Sequence, residues 1–238
     1  MNLRKFFLNQ NDGMLIEPFS IMHFILILIT LIIMLLIYKK RDKINLKTSR
    51  IILAVILVIN IILRRGSFLY YGVYDYNSHL DINFCNFTAI LMLIYSLTGN
   101  KKLYKYCYYM VFIGPLLSIL FPCLTFSLKN YSFYSFLILH YILFIFNFIF
   151  YLKEDISFSK ENLIKVIKFI LRYFAIVYII DYLFKFDYNK IDSFINMDIF
   201  IINYLRNYGL IISYLIMIIV IMLLLLLASF VLMKKDKK

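Results

Sequence analysis

The chain contains 238 residues, of which 63% are hydrophobic and 16% charged, and its mean hydropathy is +0.85. A water-soluble fold is excluded because so few polar side chains could not cover its surface. The net charge of +13 arises from Lys and Arg in short clusters between apolar runs, not on one basic face, so we expect no nucleic-acid partner. The composition instead predicts an all-α polytopic membrane bundle with one domain over residues 1–238.

Seven apolar stretches predict about seven transmembrane helices, since crossing a hydrocarbon core of roughly 30 Å takes about 20 residues. In chain order they lie near residues 19–38, 49–64, 80–98, 103–122, 132–152, 163–184 and 208–233. The second stretch is short and ends at Arg64 and Arg65, and the sixth begins with Lys165, Lys168 and Arg172. Long basic side chains extend to the interface, so both stretches are predicted to be spans.

Basic residues also predict the orientation of the chain. They are concentrated in the loops after the first, third and fifth spans and in the C-terminal tail, and they are much rarer on the opposite side. By the positive-inside rule, the N-terminus is expected outside and the C-terminus in the cytoplasm, as in a multi-pass protein of the cell membrane. The sequence does not determine the oligomeric state.

The three cysteines, Cys85, Cys107 and Cys123, show neither paired spacing nor a CxxC motif. The sequence therefore indicates neither a disulfide framework nor a zinc site, and we expect no cofactor and no metal. Cys107 and Cys123 do not lie in a cluster of polar residues and are interpreted as structural. Cys85 differs because it lies in a polar run, residues 79–88, where the chain re-enters the bilayer.

Polar residues within the spans are concentrated in the predicted outer half of the bundle. An ionisable group in lipid is costly unless it faces the bundle interior and finds a partner, so these residues are candidates for a functional site. The set comprises all three histidines and the one carboxylate clearly inside a span, and its members are His23, His79, Asn83, Asn86, Thr88, His140, Asn147 and Asp181. The pattern predicts a polar cavity in the outer half.

Most of these residues also have a structural interpretation. His23 and His79 lie close enough to the interface to be solvated, and Asn147 is of the kind that forms hydrogen bonds between helices. Asp181 is near a lysine in the sequence with which it can pair. His140 is the hardest to explain structurally, because it lies in an otherwise apolar helix with no nearby exit to water.

Several short motifs, spread over most of the chain, occur in an order that is typical of one membrane protein family. They are Phe19-Ser20 followed by His23, the segment from Leu80 to Cys85, Gly114 with Pro122, His140, and Asp181 followed by Asp187-Tyr188. Together they resemble the YwaF-type family of bacterial integral membrane proteins, whose eukaryotic relatives include transmembrane protein 164, a lipid acyltransferase. The resemblance implies a protein of the bacterial plasma membrane.

The sequence departs from the family pattern next to both central residues. Asp81 and Asn83 stand where the family has Pro and His before Cys85, and Tyr141 follows His140 where Gly is common. For the eukaryotic branch the resemblance implies acyl transfer between lipids with a cysteine nucleophile. Carried over to this chain, Cys85 would be the nucleophile and His140 its base.

The first functional hypothesis is a membrane-embedded acyltransferase or lipid hydrolase acting on phospholipids, so membrane lipids are the expected partners. Cys85 would attack an acyl ester and His140 would accept the thiol proton. The residues expected to orient the base, bind the substrate or donate to the oxyanion are Asp181, His79, Asn83, Asn86, Thr88, His23 and Asn147.

Two alternatives use the same residues differently. In a small-solute or proton-coupled transporter or binding protein, the histidines and Asp181 would bind a polar solute or relay protons, although the chain shows no internal repeat. In a zinc-dependent membrane hydrolase, His23, His79, His140 and Asp181 would hold the metal. This third hypothesis ranks lowest because no two histidines lie within one helical turn.

Overall fold

A computed structural model describes residues 3–8, 16, 19–74, 82–122, 128–156 and 160–185, together with residues 219 and 223. The regular elements of these residues are helical, which confirms the predicted all-α fold. The helices are α1 (Leu3–Phe7), α2 (Ile21–Lys39), α3 (Leu46–Tyr70), α4 (Phe84–Thr98), α5 (Lys101–Leu120), α6 (Tyr131–Lys153) and α7 (Lys160–Phe184), with one 3-10 turn at Arg41–Lys43.

The chain forms two compact units. Unit 1 comprises Met1–Asp75 and Cys85–Ile156, and it contains helices α1 to α6 apart from the first residue of α4. Unit 2 comprises Tyr76–Phe84 and Ser157–Lys238, and it contains α7. The expectation of a single domain over the whole chain stays a prediction.

Four of the described helices, α2, α3, α5 and α6, are long and apolar enough to cross a membrane. The bounds of α2, α5 and α6 agree with the predicted spans to within two residues. Helix α4 is apolar but has only 15 residues, and α7 is helical where predicted but carries more charge. The stretch 208–233 lies outside the described residues except for residues 219 and 223. The count of seven and the orientation stay predictions.

Helix α3 is longer than the sequence predicted. The span was expected to end at Arg64, but the helix continues to Tyr70 and comprises 25 residues. Arginine is a good helix former, and its charge alone does not end a helix. At 1.5 Å per residue α3 is about 37 Å long, so it can cross a core of roughly 30 Å with both arginines still within the helix.

Four helices begin at side chains suited to capping. The Ser20 hydroxyl accepts a hydrogen bond from the His23 amide at the start of α2. The side-chain oxygens of Asn45, Asn100 and Asn130 accept from first-turn amides of α3, α5 and α6, as in the 2.8 Å bond from the Ser132 amide. These bonds satisfy N–H groups that have no intrahelical partner.

One end of unit 1, the Lys153 end, is where α3 and α5 begin and α2, α4 and α6 end. The Tyr95 hydroxyl donates to Glu154 Oε1 at 2.6 Å, and Lys101 Nζ lies 3.8 Å from Oε2. The Tyr95 ring stacks on Tyr104 with 4.7 Å between centroids. This half therefore has a polar and aromatic core, although the sequence analysis expected the polar residues of the spans to be concentrated in the opposite half.

The opposite end, the Tyr131 end, is where α3 and α5 finish and α2, α4 and α6 begin. The Tyr131 hydroxyl donates to Asn60 Oδ1 at 3.0 Å, which joins α6 to α3. The rings of Phe6 and Phe7 lie 6.1 and 5.4 Å from the Tyr131 ring, so α1 packs against this end.

In unit 2, the residues that lead into α4 pack on α7. The ring of Phe84 stacks on Phe174 with 5.4 Å between centroids, and the Tyr173 hydroxyl donates to the Ile82 carbonyl. Asp181, on the same helix, is buried.

Candidate active site around Cys85 and His140

His140 lies at the centre of an irregular stretch of α6. Residues Ile138–Ile142 form a π-helical turn between the α-helical segments Tyr131–Leu137 and Leu143–Lys153. Helix α6 contains neither proline nor glycine, so the usual helix-breaking residues do not cause the irregularity. Single π turns of this kind are rare and occur frequently at functional sites.

The His140 ring is buried and is oriented by its own helix. Nδ1 lies 2.8 Å from the Phe136 carbonyl oxygen, and the two rings lie 4.3 Å apart. A carbonyl oxygen can only accept, so Nδ1 carries the proton, and in the neutral imidazole Nε2 carries the lone pair. The helix therefore presents Nε2 as the nitrogen that accepts a proton.

Cys85 lies in the first turn of α4 and is partly exposed. Its Sγ atom is 3.8 Å from the hydroxyl oxygen of Ser118 on α5. A hydroxyl donates more strongly to a thiolate than to a thiol, because a charged acceptor strengthens the bond. Ser118 was not among the predicted site residues, since one serine near the end of an apolar helix has no distinctive spacing.

The antiparallel packing of α5 and α6 brings Cys85 and His140 to similar depths. Asn147 Nδ2 lies 3.5 Å from the Tyr108 carbonyl, so positions 147 and 108 are level. Counting seven residues from this level toward the Tyr131 end reaches His140 on α6 and position 115 on α5, so these two positions are also level. Ser118 lies three residues beyond position 115 in the same direction, which is about 4.5 Å along the helix axis. Cys85, which contacts Ser118, thus differs from His140 in depth by about one helical turn.

Asn147 links α5 to α6 and does not reach the imidazole. Besides its contact with Tyr108, its backbone carbonyl accepts from the Tyr104 hydroxyl at 2.9 Å. It lies about 10 Å along the helix from His140, too far to orient the ring directly. These bonds support the interpretation of Asn147 as an interhelical contact.

His23 has both ring nitrogens engaged by the backbone. The Phe19 amide donates to Nδ1 at 2.9 Å, so Nε2 carries the proton and donates to the Ile119 carbonyl at 2.7 Å. Carbonyls in the last turn of a helix lack an intrahelical partner, so His23 caps α5. The side chain is 1% exposed, which corrects its interpretation as solvated. In this position neither nitrogen is left for a substrate or a zinc ion.

Two other predicted site residues lie close to Cys85 in the sequence. Asn86 and Thr88 are buried near the start of α4. Asn83 and Asp181 belong to unit 2, and His79 lies outside the described residues. Within the described ranges, no group of three or more His, Cys, Asp or Glu side chains could hold a metal ion.

Two buried hydroxyls next to the π turn were missed by the sequence analysis. Ser135 precedes His140 by five residues and Tyr141 follows it directly, and neither hydroxyl has a hydrogen-bond partner among the described residues. Buried hydroxyls normally have partners, so these two are candidates for contact with a substrate. The only sequence signal was Tyr141, noted above as a departure from the family pattern.

A family model described as the TMEM164 family matches residues 15–233, a range that includes both Cys85 and His140. The chain belongs to the TMEM164 family. This membership confirms the relationship to transmembrane protein 164 that the short motifs indicated, and together with the four long apolar helices it identifies a multi-pass membrane protein. No curated protein and no solved structure matches the chain.

Proposed function

We propose that this TMEM164-family protein is a membrane-embedded lipid acyltransferase or lipid hydrolase with Cys85 as nucleophile and His140 as base. The observation that carries the proposal is the π turn, which holds His140 with Nδ1 donating to Phe136 and Nε2 as the proton-accepting nitrogen. The similar depth of Cys85 supports it, since a base must come within hydrogen-bond reach of the thiol in the working complex.

The first half of the reaction forms a thioester. Nε2 of His140 takes the Cys85 thiol proton, and the thiolate attacks the carbonyl carbon of a lipid ester. A C–S bond forms as the ester C–O bond breaks, and the proton on His140 passes to the departing lipid alkoxide. The first product is therefore a lipid alcohol.

The second half releases the acyl group. An acceptor alcohol or water gives its proton to His140 as its oxygen attacks the thioester carbon. The C–S bond breaks, and the proton returns from His140 to the sulfur of Cys85. Transfer to a lipid alcohol gives acyl transfer, and transfer to water gives hydrolysis.

The position of Cys85 favours the thiolate that this mechanism needs. The first turn of α4 presents amide N–H groups that lack intrahelical acceptors, and the helix dipole is positive there. A positive helix end stabilises the negatively charged thiolate relative to the neutral thiol. The Ser118 hydroxyl, 3.8 Å from Sγ, can act as a further donor.

The substrate class follows from the surroundings of the site. Cys85 lies at the start of an apolar helix and His140 within a membrane-length one. An ester that reaches both must partition into the bilayer, so we infer a membrane phospholipid as the acyl donor.

Intact-mass analysis after exposure to a long-chain alkyl β-lactone, which acylates nucleophilic thiols, tests the assignment. We expect one adduct on the unaltered protein, none on Cys85→Ala and an unchanged adduct on Cys107→Ala, the control in which a fully buried cysteine is removed. His140→Ala should slow labelling by about 10²- to 10⁴-fold.

Equal labelling of Cys85→Ala and the unaltered protein would contradict the nucleophile assignment. A transporter gives a different pattern: uptake of a polar solute into proteoliposomes would depend on Asp181 and the histidines and be indifferent to Cys85→Ala.

A further inference from the structure

His23 joins the start of α2 to the end of α5, one residue from the serine that contacts Cys85. Its Nε2–H donates to the Ile119 carbonyl at 2.7 Å, and the hydroxyl oxygen of the preceding residue, Ser118, lies 3.8 Å from the Cys85 sulfur. His23, Ser118 and Cys85 all belong to unit 1. A buried histidine of the first membrane-length helix is thus connected to the proposed nucleophile through a single turn of α5.

The imidazole of His23 is oriented by the start of its own helix. The Ser20 hydroxyl accepts from the His23 amide at 3.3 Å, and the Phe19 amide donates to His23 Nδ1 at 2.9 Å. This reciprocal pair resembles a capping box, in which the third helical residue returns a bond to the backbone that precedes the helix. Because Nδ1 is an acceptor, the neutral ring has its proton on Nε2, and the start of α2 sets the direction of that N–H.

The last turn of α5 is bounded by two prolines, which reduce its backbone hydrogen bonding. Pro115 has no N–H for the Val111 carbonyl, and Pro122, just beyond the end of the helix, has none for the Ser118 carbonyl. One helical bond is therefore lost on either side of the turn. The bond from His23 to Ile119 contributes more to the position of this turn than it would in an uninterrupted helix.

The backbone at Phe19 supports the importance of this connection. Its φ is +65°, in the left-handed region that aromatic residues seldom adopt. Such a conformation persists only where the surroundings over-determine it, and it is found often at functional sites. Here the amide bonds to the His23 ring, and the Phe19 ring lies 6.3 Å from the Phe121 ring, edge to face, at the end of α5. Two contacts therefore hold the start of α2 against the end of α5.

We propose that His23 is a positioning residue for Cys85: it fixes the last turn of α5 and thereby holds the Ser118 hydroxyl at the cysteine sulfur. The role in acyl transfer rests on the proposed function, whereas the effect on the reactivity of the thiol does not. A bond from a hydroxyl to a thiolate is charge-assisted, so a displaced Ser118 would stabilise the thiolate less. His23 acts only through Ser118, since both its ring nitrogens are bound by backbone groups.

The rate at which N-ethylmaleimide alkylates Cys85 tests the proposal, because the thiolate is the reactive form. The rate is measured by intact mass in detergent, on a full chain in which Cys107 and Cys123 are replaced by alanine. We expect Ser118→Ala to slow alkylation by about tenfold, because a charge-assisted donor is lost.

Two substitutions at His23 separate its two hydrogen bonds. The amide of asparagine ends near the place of Nδ1, so His23→Asn keeps an acceptor for the Phe19 amide but does not reach Ile119. The longer glutamine amide ends near the place of Nε2 and can donate to Ile119. We expect His23→Asn to slow alkylation by about tenfold and His23→Gln to stay within about twofold of the unaltered rate.

Combining the substitutions shows whether His23 acts through Ser118. We expect His23→Asn with Ser118→Ala to be within about twofold of Ser118→Ala alone, because both changes remove the same bond to sulfur. Thr30→Val is the matched control on the same helix, since the buried Thr30 hydroxyl donates within α2, to the Leu26 carbonyl. It should change the rate by less than about twofold, as a bond internal to α2 does not hold α5.

Thermal unfolding accompanies each variant, and rates are compared at a temperature at which all variants are folded. A rate unaffected by His23→Asn would overturn the proposal. Equal slowing by His23→Asn and His23→Gln would also overturn it, as would a loss of about a hundredfold in the combined variant, because His23 would then not act through its bond to α5 and Ser118.

This proposal and the proposed function can fail separately. Alkylation that depends on His23 through Ser118, in a protein that the lipid-like β-lactone does not acylate, would keep the positioning role and reject the acyl transfer. Acylation of Cys85 at a rate independent of His23 would keep the acyl transfer and reject the positioning role.

Discussion

The two ends of unit 1 contain buried polar groups of opposite character. At the Lys153 end, the buried carboxylate of Glu154 has partners on both oxygens, Tyr95 and Lys101. At the Tyr131 end, the Tyr131 hydroxyl donates to Asn60, so this pair is uncharged, and further along α6 the backbone is irregular at Ile138–Ile142. Each half also keeps a buried serine hydroxyl without a described partner, Ser96 and Ser135, so the difference lies in the paired carboxylate and in backbone geometry. The Lys153 end is held together by its own charged side chains, whereas the other half carries the irregular turn that positions His140.

The largest expected effect separates catalysis from packing. His140→Gln should lower the rate of Cys85 acylation by about 10²- to 10⁴-fold, because the base is lost, with little change in thermal unfolding. Tyr104→Phe, in the other half, should leave the acylation rate unchanged and reduce stability by about 1 kcal/mol, because its hydrogen bond to Asn147 is lost. Both are measured by labelling time courses and by thermal unfolding in the same detergent. A stability loss without a rate loss at His140 would assign it to the core.

The next largest effect is expected at the Lys153 end. Glu154→Ala should destabilise the protein by about 2–3 kcal/mol, because it leaves the Tyr95 hydroxyl buried without its acceptor and Lys101 without its counter-charge. Asp155→Ala, at an exposed neighbouring carboxylate, is the control and should change stability by less than about 0.5 kcal/mol. Thermal unfolding measures both, and equal shifts would show that Glu154 does not hold the helices together.

The sequence predicted where the helices lie better than it predicted where they end and where their backbone is irregular. Long apolar runs located α2, α5 and α6 to within two residues because lipid leaves few alternatives to a helix. Helix α3 extends six residues beyond the predicted span, because Arg64 is compatible with a helix and its charge does not end one. The π turn could not have been predicted, since α6 carries neither proline nor glycine to indicate a break.

The candidate site was predictable only in part, because residue types mark chemistry but not packing. Cys85 and His140 stood out as reactive groups in apolar surroundings. His23 looked equally suitable, and only the backbone bonds to both its nitrogens assign it to helix capping. Ser118 depends on which face of α5 meets α4, and the role of Glu154 depends on a fold in which the end of α6 meets Tyr95.

Two glycines with left-handed backbone provide a smaller test of the same contrast. Gly99, at the Lys153 end, has φ of +67°, and a Cβ there would lie 1.8 Å from an Arg50 nitrogen. Gly72, after α3, has φ of +66° and open space. Gly72→Ala should cost about 1 kcal/mol in stability from backbone strain alone. Gly99→Ala should cost more, because it also displaces Arg50 from its position near Tyr95. Thermal unfolding measures both, and equal shifts would indicate that the position of Arg50 contributes nothing to stability.

The smallest expected effect is at Gly66, two residues after Arg64. It lies within α3, and a Cβ there would meet nothing within 4 Å. Gly66→Ala should therefore stabilise the protein by about 0.5–1 kcal/mol, since alanine loses less backbone entropy in a helix. Thermal unfolding in the same detergent measures the change. A loss of stability would contradict the prediction and mean that the space around Gly66 is not open to a methyl group.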